Sequence, residues 1–183
     1  MTLNEQEIEH LKEHIGHYPE PRAGAIYCLY FVQDKYGYIP RESMDEVGEL
    51  TGLSPVQLDE IITFYTLLRR RPVGRNLIRV CTNISCHTRG AKEVLAAAQE
   101  QSGVPLGEIS EDGSVTVLPS ICLGLCDRAP AALVNDDEVL GELTPDKIRD
   151  EMARYVSQAM NSTEASANGR LIATLKPQSQ EPK

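Results

Sequence analysis

The sequence predicts an α+β protein in which a small N-terminal helical bundle is followed by a small α/β domain. Two observations give this fold class. Apolar residues recur at helical spacing, between cap residues, through the first part of the chain. From residue 76 onwards, short strands alternate with helices in the order β-α-β-β-β-α, which is typical of a sheet with helices packed on it. We therefore expect a helical domain over residues 1–75 and an α/β domain over residues 76–158.

Four short helices are expected in the N-terminal domain, joined by short links as in a small bundle. The clearest boundary is the start of the fourth helix. There Ser54 is the cap, Pro55 lies in the first turn and Gln57 completes a capping box. The second and third helices are each followed by a glycine, which suits the left-handed position after a helix end. The four predicted helices cover residues 5–14, 23–36, 40–51 and 54–65.

In the α/β domain, a helix is expected to connect the first two strands. A strand, a crossover helix and a second strand in one sheet are normally parallel. Parallel strands end at the same edge of the sheet, where α/β folds carry their binding sites. The remaining strands should form a hairpin that turns at residues 135–137, and Thr144 and Pro145 mark the start of a closing helix. In chain order, these segments cover residues 76–81, 89–103, 114–122, 130–143 and 144–160.

The end of the chain, residues 159–183, is predicted to be a disordered tail. It is rich in Ser, Asn, Gln and Pro and has too few apolar residues to bury a core. A brief apolar segment, RLIATL at residues 170–175, interrupts it. We interpret this segment as part of the tail.

The composition disfavours several classes of protein. A total of 18 Lys and Arg residues against 27 Asp and Glu gives a net charge of −9, so no nucleic-acid partner is expected. No stretch approaches the roughly 18 apolar residues that cross a bilayer, and the charged N-terminus lacks the apolar core of a secretory signal. We therefore expect a cytoplasmic protein. In that compartment clustered cysteines bind metals or catalyse reactions more often than they form disulfides.

Four of the five cysteines occur as two pairs, and each pair follows a predicted strand. Cys81 and Cys86 follow the first strand, and Cys122 and Cys126 follow the second. Because these strands are expected to be parallel, both loops should lie at one edge of the sheet, where the four thiols can converge on one centre. Four thiolates suit either a tetrahedral zinc ion or an iron–sulfur cluster.

The spacing of the cysteines favours a [2Fe–2S] cluster. Structural zinc sites prefer pairs separated by two residues, because a tight knuckle must enclose a single ion. Here four residues separate the first pair and three separate the second. Wider loops suit a binuclear cluster in which each pair binds its own iron. A zinc-stapled structural subunit with no redox role is the alternative, and a [4Fe–4S] cluster is third because its motif packs three cysteines closely.

The residues around the cysteines indicate an anionic centre. A helix that is expected to begin near residues 88–90 would direct its N–H groups back at the first loop. Gly124, in the middle of the second loop, allows backbone amides to approach the sulfur atoms. Arg89 and Arg128 would raise the reduction potential of a cluster, and the alternative interpretation of both is a solvated side chain.

Three segments resemble the thioredoxin-like [2Fe–2S] ferredoxin family, namely FYTLLRRRPVGRNLIRVC, the C(x4)CHTRGA motif and CLGLCDRAP. Within that family they resemble the small flavoprotein-fraction subunit of bacterial NADH:quinone oxidoreductase, respiratory complex I. The segment YPEPRAGAIYCLYFVQDKYGYIP resembles the family's helical N-terminal domain, so the likeness covers roughly residues 10–157. The resemblance implies a thioredoxin-like fold for the α/β domain and one [2Fe–2S] cluster, whose ligands would be Cys81, Cys86, Cys122 and Cys126.

The resemblance also implies a role and partners. The chain would be a non-catalytic subunit that transfers single electrons, docked on a partner subunit that binds FMN and NADH, alongside further iron–sulfur subunits. The complex would hold it at the cytoplasmic side of the inner membrane without a membrane span of its own. The sequence has no G-x-G-x-x-G motif after a strand and no P-loop, which places the hydride chemistry on the partner. NAD-linked formate dehydrogenases and hydrogenases use the same family and are the alternative parent complexes.

Three other residues near these motifs have structural interpretations. His87 adjoins a cysteine, but four cysteines already complete the site, so we expect a solvated histidine or one that contacts a ligand. Cys28 lies on an apolar helix face and is predicted to be a small buried hydrophobic side chain. Pro130 precedes a predicted strand, at a place where thioredoxin-like folds often hold a cis proline.

Overall fold

The computed structural model describes residues 3–161, which form two compact units that divide between Pro72 and Val73. A 3₁₀ turn that starts at Pro21 precedes the second helix, which therefore begins two residues after the predicted residue 23. The α-helices of the first unit are α1 (Glu5–Ile15), α2 (Ala25–Tyr36), α3 (Arg41–Thr51) and α4 (Pro55–Phe64).

Local hydrogen bonds define the ends of these helices. The Ser54 hydroxyl accepts from the Gln57 N–H, and the Gln57 side chain accepts from the Ser54 N–H at 3.0 Å, so the predicted capping box is confirmed. Asn4 and Glu7 form the same arrangement at the start of α1. Gly37 ends α2 with φ of 77°, in the left-handed region. A capping side chain contributes about 1 kcal/mol to stability, so a few residue types strongly prefer the N-cap position. That preference makes helix starts recognisable in the sequence.

The first unit has its own apolar core, to which all four helices contribute. Cys28 is fully buried in this core, which confirms its interpretation as a small hydrophobic side chain. Burial raises the pKa of its thiol to about 12, so the thiol stays protonated at neutral pH. The largest fully buried side chains here include Leu11, Leu29, Val32, Val47 and Leu58.

The second unit is built on a four-stranded mixed sheet. Its elements are β1 (Asn76–Cys81), α5 (Ile84–His87), α6 (Ala91–Ser102), β2 (Val115–Ser120), β3 (Ala132–Val134), β4 (Glu138–Leu140) and α7 (Pro145–Asn161). The strand order is β2-β1-β3-β4, in which β1 and β2 are parallel and the other neighbours are antiparallel. The parallel arrangement predicted for the first two strands is therefore confirmed.

The core of the second unit lies between the sheet and the helices α6 and α7. Alternate residues of a strand point to the same face, so Ile78 and Val80 of β1 enter this core together. The predicted hairpin between β3 and β4 is also confirmed, with Asn135 and Asp136 in left-handed conformations at the turn. Buried core residues from the two helices include Val94, Ala98, Ile148 and Met152.

Both edges of this sheet are short or interrupted. Pro119 lies within the edge strand β2 and has no N–H to donate. Ile109 forms an isolated antiparallel bridge to Thr116 of the same strand. The opposite edge strand, β4, is only three residues long.

Three segments differ from the sequence-based prediction. The short helix α5 was not expected, because four residues are too few to show a helical period. The helix predicted over residues 89–103 is α6, which begins at Ala91. Helix α7 continues to Asn161, one residue beyond the predicted helix, so it overlaps the predicted tail at residues 159–161. The rest of that tail lies outside the described residues. Within residues 3–161, no helix is long and apolar enough to cross a membrane.

A compact polar turn precedes β2 and centres on Asp112. One oxygen of its carboxylate accepts from the Ser110 hydroxyl at 2.6 Å, from the Ser114 N–H at 3.0 Å and from the Ser114 hydroxyl at 2.7 Å. The hydrogen bond from Ser110, followed by those from Ser114, lowers the Asp112 pKa from 3.8 to about 2. The charged carboxylate therefore stabilises the folded state.

Replacing this carboxylate is expected to change the pH dependence of stability. The unfolded chain binds the Asp112 proton at about pH 3.8 and the folded chain at about pH 2. The stabilisation is therefore complete above pH 3.8 and is lost as the pH falls towards 2. Asp112→Asn should lower the melting temperature at pH 7 and match the wild type near pH 2.

Thermal unfolding followed by circular dichroism between pH 2 and pH 7 measures this effect. Asp150→Asn, which changes an exposed carboxylate on α7, is the matched control and should leave the profile unchanged. An equal loss of stability for Asp112→Asn at pH 2 and pH 7 would contradict the assignment.

Candidate metal centre

The two cysteine loops leave the sheet side by side. Cys81 is the last residue of β1 and lies opposite Ser120, the last residue of β2. The Thr82 N–H donates to the Ser120 carbonyl at 2.9 Å, so the two chains still pair one residue beyond β1. Cys122 follows two residues after Ser120. The parallel strands thus place both loops at the same end of the sheet, beside the carboxyl ends of β1 and β2, as expected from the sequence.

The first cysteine pair is buried. Cys81 is 3% exposed and Cys86 is 2% exposed, and both pack in a small apolar cluster with Ala91 and Ala129. Burial, followed by a hydrogen bond with the Cys81 thiol and the nearby charge of Cys126, raises the pKa of the Cys86 thiol. Without a metal the Cys86 thiol is therefore held protonated. A bound metal ion would reverse that preference, because thiols coordinate as thiolates.

The second cysteine pair lies at the surface. Cys122 and Cys126 are both exposed, and a short 3₁₀ turn begins at Cys126. Gly124 between them has φ of 78°, and its N–H donates to the Cys122 sulfur at 3.4 Å. This contact agrees with the prediction that a glycine here lets a backbone amide approach a sulfur. A hydrogen bond of this kind stabilises negative charge on the sulfur.

The helix predicted to begin near residues 88–90 begins at Ala91, and the N–H groups of residues 88–90 belong to the turn before it. Helix α5 occupies that loop, with the Asn83 side chain accepting from the Ile84 N–H at its start. The N–H groups of residues 88–90 donate to the carbonyls of residues 84, 86 and 87 at 3.0, 3.1 and 3.2 Å. They complete the turn after α5 and are not directed at the sulfur atoms.

The charged and polar residues near the cysteines differ in their contacts. His87 is exposed. Arg89 reaches across to the second loop, where its Nη1 donates to the Ala129 carbonyl at 3.5 Å. Arg128 lies beside Asp127, with 4.0 Å between its Nε and the carboxylate. The peptide bond between Ala129 and Pro130 is cis, which confirms the prediction for this proline.

Two residues that the sequence did not single out shape the second loop. The Glu142 N–H donates to the Arg128 carbonyl at 2.6 Å, and Glu142 has φ of 51°. The neighbouring Gly141 lies so close to Arg128 that a Cβ there would be 2.7 Å from the Arg128 Cβ. The sequence signal for this close packing was a glycine placed between the last strand and the start of α7.

The chemistry of this donor set fits an iron–sulfur cluster. Thiolates are the usual ligands of such clusters, and the chain supplies one buried and one exposed pair of cysteines. In the exposed pair, a backbone amide also contacts the Cys122 sulfur. In the part of the chain that the structure describes, no group of three or more His, Cys, Asp or Glu side chains is arranged to hold a metal ion.

Comparison with known proteins identifies the family. The family model for thioredoxin-like [2Fe–2S] ferredoxins matches residues 11–156. The chain belongs to this family. Membership confirms the resemblance seen in the sequence, the α+β fold class with a thioredoxin-like domain, and the [2Fe–2S] cluster as the cofactor. A zinc-stapled structural role is thereby disfavoured.

Curated relatives match over nearly their whole length. An NADH-quinone oxidoreductase subunit from Pseudomonas aeruginosa is 37% identical over 155 residues, which cover 85% of this chain and 93% of the relative. Its namesake from Escherichia coli is 33% identical over 153 residues, 84% of this chain and 92% of the relative. Subunits of NADH-quinone oxidoreductase, which the sequence motifs resemble, are therefore also the relatives that this chain matches.

Solved structures with the same fold include a larger chain. An NAD⁺-reducing [NiFe]-hydrogenase in the H₂-reduced state has a TM-score of 0.60 and 20% sequence identity, over 75% of this chain and 23% of the hydrogenase chain. This chain thus spans about a quarter of that protein. At this identity the match concerns the fold alone.

The contact of Arg89 with the second loop generates a prediction about reduction potential. A positive charge beside the cluster stabilises the added electron, so Arg89→Gln should shift the midpoint potential to more negative values. Because the side chain is exposed and its charge is screened, we expect a shift of less than about 59 mV, a tenfold change in the equilibrium for one electron.

A redox titration followed by EPR measures this shift. Arg75→Gln is the matched control, because it removes the same charge from an exposed residue at the opposite end of β1, about 20 Å from Cys81 along the strand. Arg89→Lys should stay near the wild-type potential. Equal shifts for Arg89→Gln and Arg75→Gln would show that only the net charge of the chain matters.

Proposed function

We propose that this protein is the one-electron transfer subunit of an NADH:quinone oxidoreductase, with one [2Fe–2S] cluster bound by Cys81, Cys86, Cys122 and Cys126. The observation that carries the proposal is the position of the two cysteine loops at one edge of the β1–β2 pair. It is supported by the match to NADH-quinone oxidoreductase subunits over 92–93% of their length.

The side chains of this protein would hold the cluster and leave one side of it accessible. A bound [2Fe–2S] cluster supplies one-electron transfer at iron. The buried pair, Cys81 and Cys86, is fixed by β1 and α5 and would anchor one iron within the fold. The exposed pair, Cys122 and Cys126, would bind the second iron at the surface, where electrons can enter and leave.

The proposed partners follow from what the chain does not carry. Hydride transfer from NADH needs a flavin and a nucleotide site, and the sequence has neither a dinucleotide-binding motif nor a P-loop. We therefore place FMN and NADH on a partner subunit that contacts the exposed cysteine edge, with further iron–sulfur subunits beyond it. In this assignment the chain takes no part in bond making. It is held at the cytoplasmic side of the inner membrane by the complex.

The corresponding subunit of an NAD-linked hydrogenase or formate dehydrogenase is the second candidate. The family resemblance is what supports it, because the match to an NAD⁺-reducing hydrogenase, at 20% identity, concerns the fold alone. The curated relatives at 33–37% identity are quinone oxidoreductase subunits, which is why we place this chain among them. Affinity purification of the native complex distinguishes the two, because it would recover either quinone-reducing or hydrogenase and formate dehydrogenase subunits.

Spectroscopy of the purified chain tests the ligand assignment. Protein purified without oxygen from a host that assembles clusters should be red-brown, contain about two irons per chain and give an S = 1/2 EPR signal after dithionite reduction. Cys81→Ser and Cys122→Ser should each abolish or alter that signal. Cys28→Ala is the matched control, since this fifth cysteine lies in the core of the first unit and should leave the spectrum unchanged.

Two results would overturn the proposal. Unchanged spectra for both serine variants would remove these cysteines from the ligand set. A colourless wild-type protein with about one zinc per chain would make the four cysteines a structural clip instead.

A further inference from the structure

We propose that Gly141 is a positioning residue for the cluster, because it holds the loop that carries Cys126 in place without touching the ligands. The inference rests on the proposed function, since it assumes that Cys126 binds iron. It concerns the loop between β4 and α7, residues 141–144, which lies against the segment that follows Cys126.

Gly141 leaves no room for a side chain. A Cβ at this position would lie 2.7 Å from the Arg128 Cβ, 3.1 Å from its Cδ and 3.3 Å from its carbonyl oxygen. The closest of these atoms is fixed to the backbone and cannot rotate away. The φ of Gly141 lies outside the left-handed region, so backbone conformation does not require glycine here. Close packing against Arg128 is therefore the reason for glycine.

Two backbone hydrogen bonds join this loop to the segment after Cys126. The Glu142 N–H donates to the Arg128 carbonyl at 2.6 Å, and the Leu143 N–H donates to the Pro130 carbonyl at 2.9 Å. Arg128 belongs to the same 3₁₀ turn as Cys126, two residues further along the chain. A displacement of Arg128 would therefore be passed to Cys126 through a single short turn.

The loop is itself held by the start of α7. The Lys147 ammonium group donates to the Gly141 carbonyl at 2.7 Å, and the Lys147 N–H donates to the Thr144 hydroxyl at 3.2 Å. Helix α7 packs in the core of the second unit through Ile148. A continuous series of contacts therefore leads from that core through Gly141 and Arg128 to Cys126.

This support matters because Cys126 is exposed and has little packing of its own. The buried pair is fixed by surrounding apolar side chains, whereas the position of Cys126 depends on the backbone around it. A methyl group at residue 141 would push Arg128 outwards and move the Cys126 sulfur away from its iron. The expected consequence is weaker cluster binding together with changed electronic properties of any cluster that forms.

The test compares two glycine-to-alanine variants of the full chain. Gly141→Ala should retain less than half of the wild-type iron after reconstitution, and its remaining cluster should show altered EPR g-values and a shifted midpoint potential. Gly48→Ala is the matched control. A Cβ there would lie 2.8 Å from the Leu53 carbonyl in the helical unit, again without a left-handed backbone. This variant should lose stability while keeping wild-type iron content and EPR.

A second substitution separates the steric effect from simple unfolding. Arg128→Gly removes the Cβ that Gly141→Ala would contact, so the double variant should recover the g-values and iron content of the Arg128→Gly single variant. If Gly141→Ala alone fails to fold, this double variant decides the question. A folded double variant without recovery would overturn the inference.

The remaining outcomes distinguish a failure of this inference from a failure of the proposed function. A wild-type cluster signal with unchanged EPR and iron content in Gly141→Ala would overturn the role of Gly141 and leave the proposed function intact. A wild-type chain that binds no cluster would overturn the proposed function, and the role of Gly141 with it.

Discussion

The parallel pairing of β1 with β2 is the constraint on which the metal centre depends. It brings Cys81 opposite Ser120 and so starts both cysteine loops at the same edge of the sheet. Antiparallel strands would place the two loops at opposite ends of the strands. A register shift of one residue would turn the Cys81 side chain to the other face of the sheet. The burial of α6 against the sheet holds this arrangement, because the crossover helix contributes Val94 and Ala98 to the core. The cysteine site is thus a consequence of how an apolar core is packed.

Much of this arrangement was predictable because the deciding signals are local or follow from topology. The capping box at Ser54 and the hairpin turn at Asn135 each depend on a few adjacent residues. The cis bond at Pro130 was expected from its place in a thioredoxin-like fold. The parallel strands follow from a helix placed between two strands, since such crossovers have few alternatives. Helix α5 was missed because a single turn carries no periodic pattern.

The residues that the sequence did not reveal are those whose roles depend on distant neighbours. Gly141 is required by its contact with Arg128, which lies 13 residues earlier in the chain. The local pattern shows a glycine after the last strand but does not show which residue approaches it. The same holds for the unequal burial of the two cysteine pairs. Spacing describes both pairs as similar loops, whereas the structure encloses Cys86 and exposes Cys122. Such differences arise from how distant segments of the chain pack together in the folded state.

The short or interrupted edge strands affect how readily the free chain aggregates before it is assembled into a complex. A protein that acts within a complex is also present as a free chain, and an unprotected sheet edge can pair with another copy and aggregate. In this protein Pro119 interrupts the hydrogen-bonding row of β2, Ile109 pairs with part of that strand, and β4 offers only three residues. Neither edge is a good template for strand addition. The sheet therefore offers another copy of the chain little to pair with through its edges.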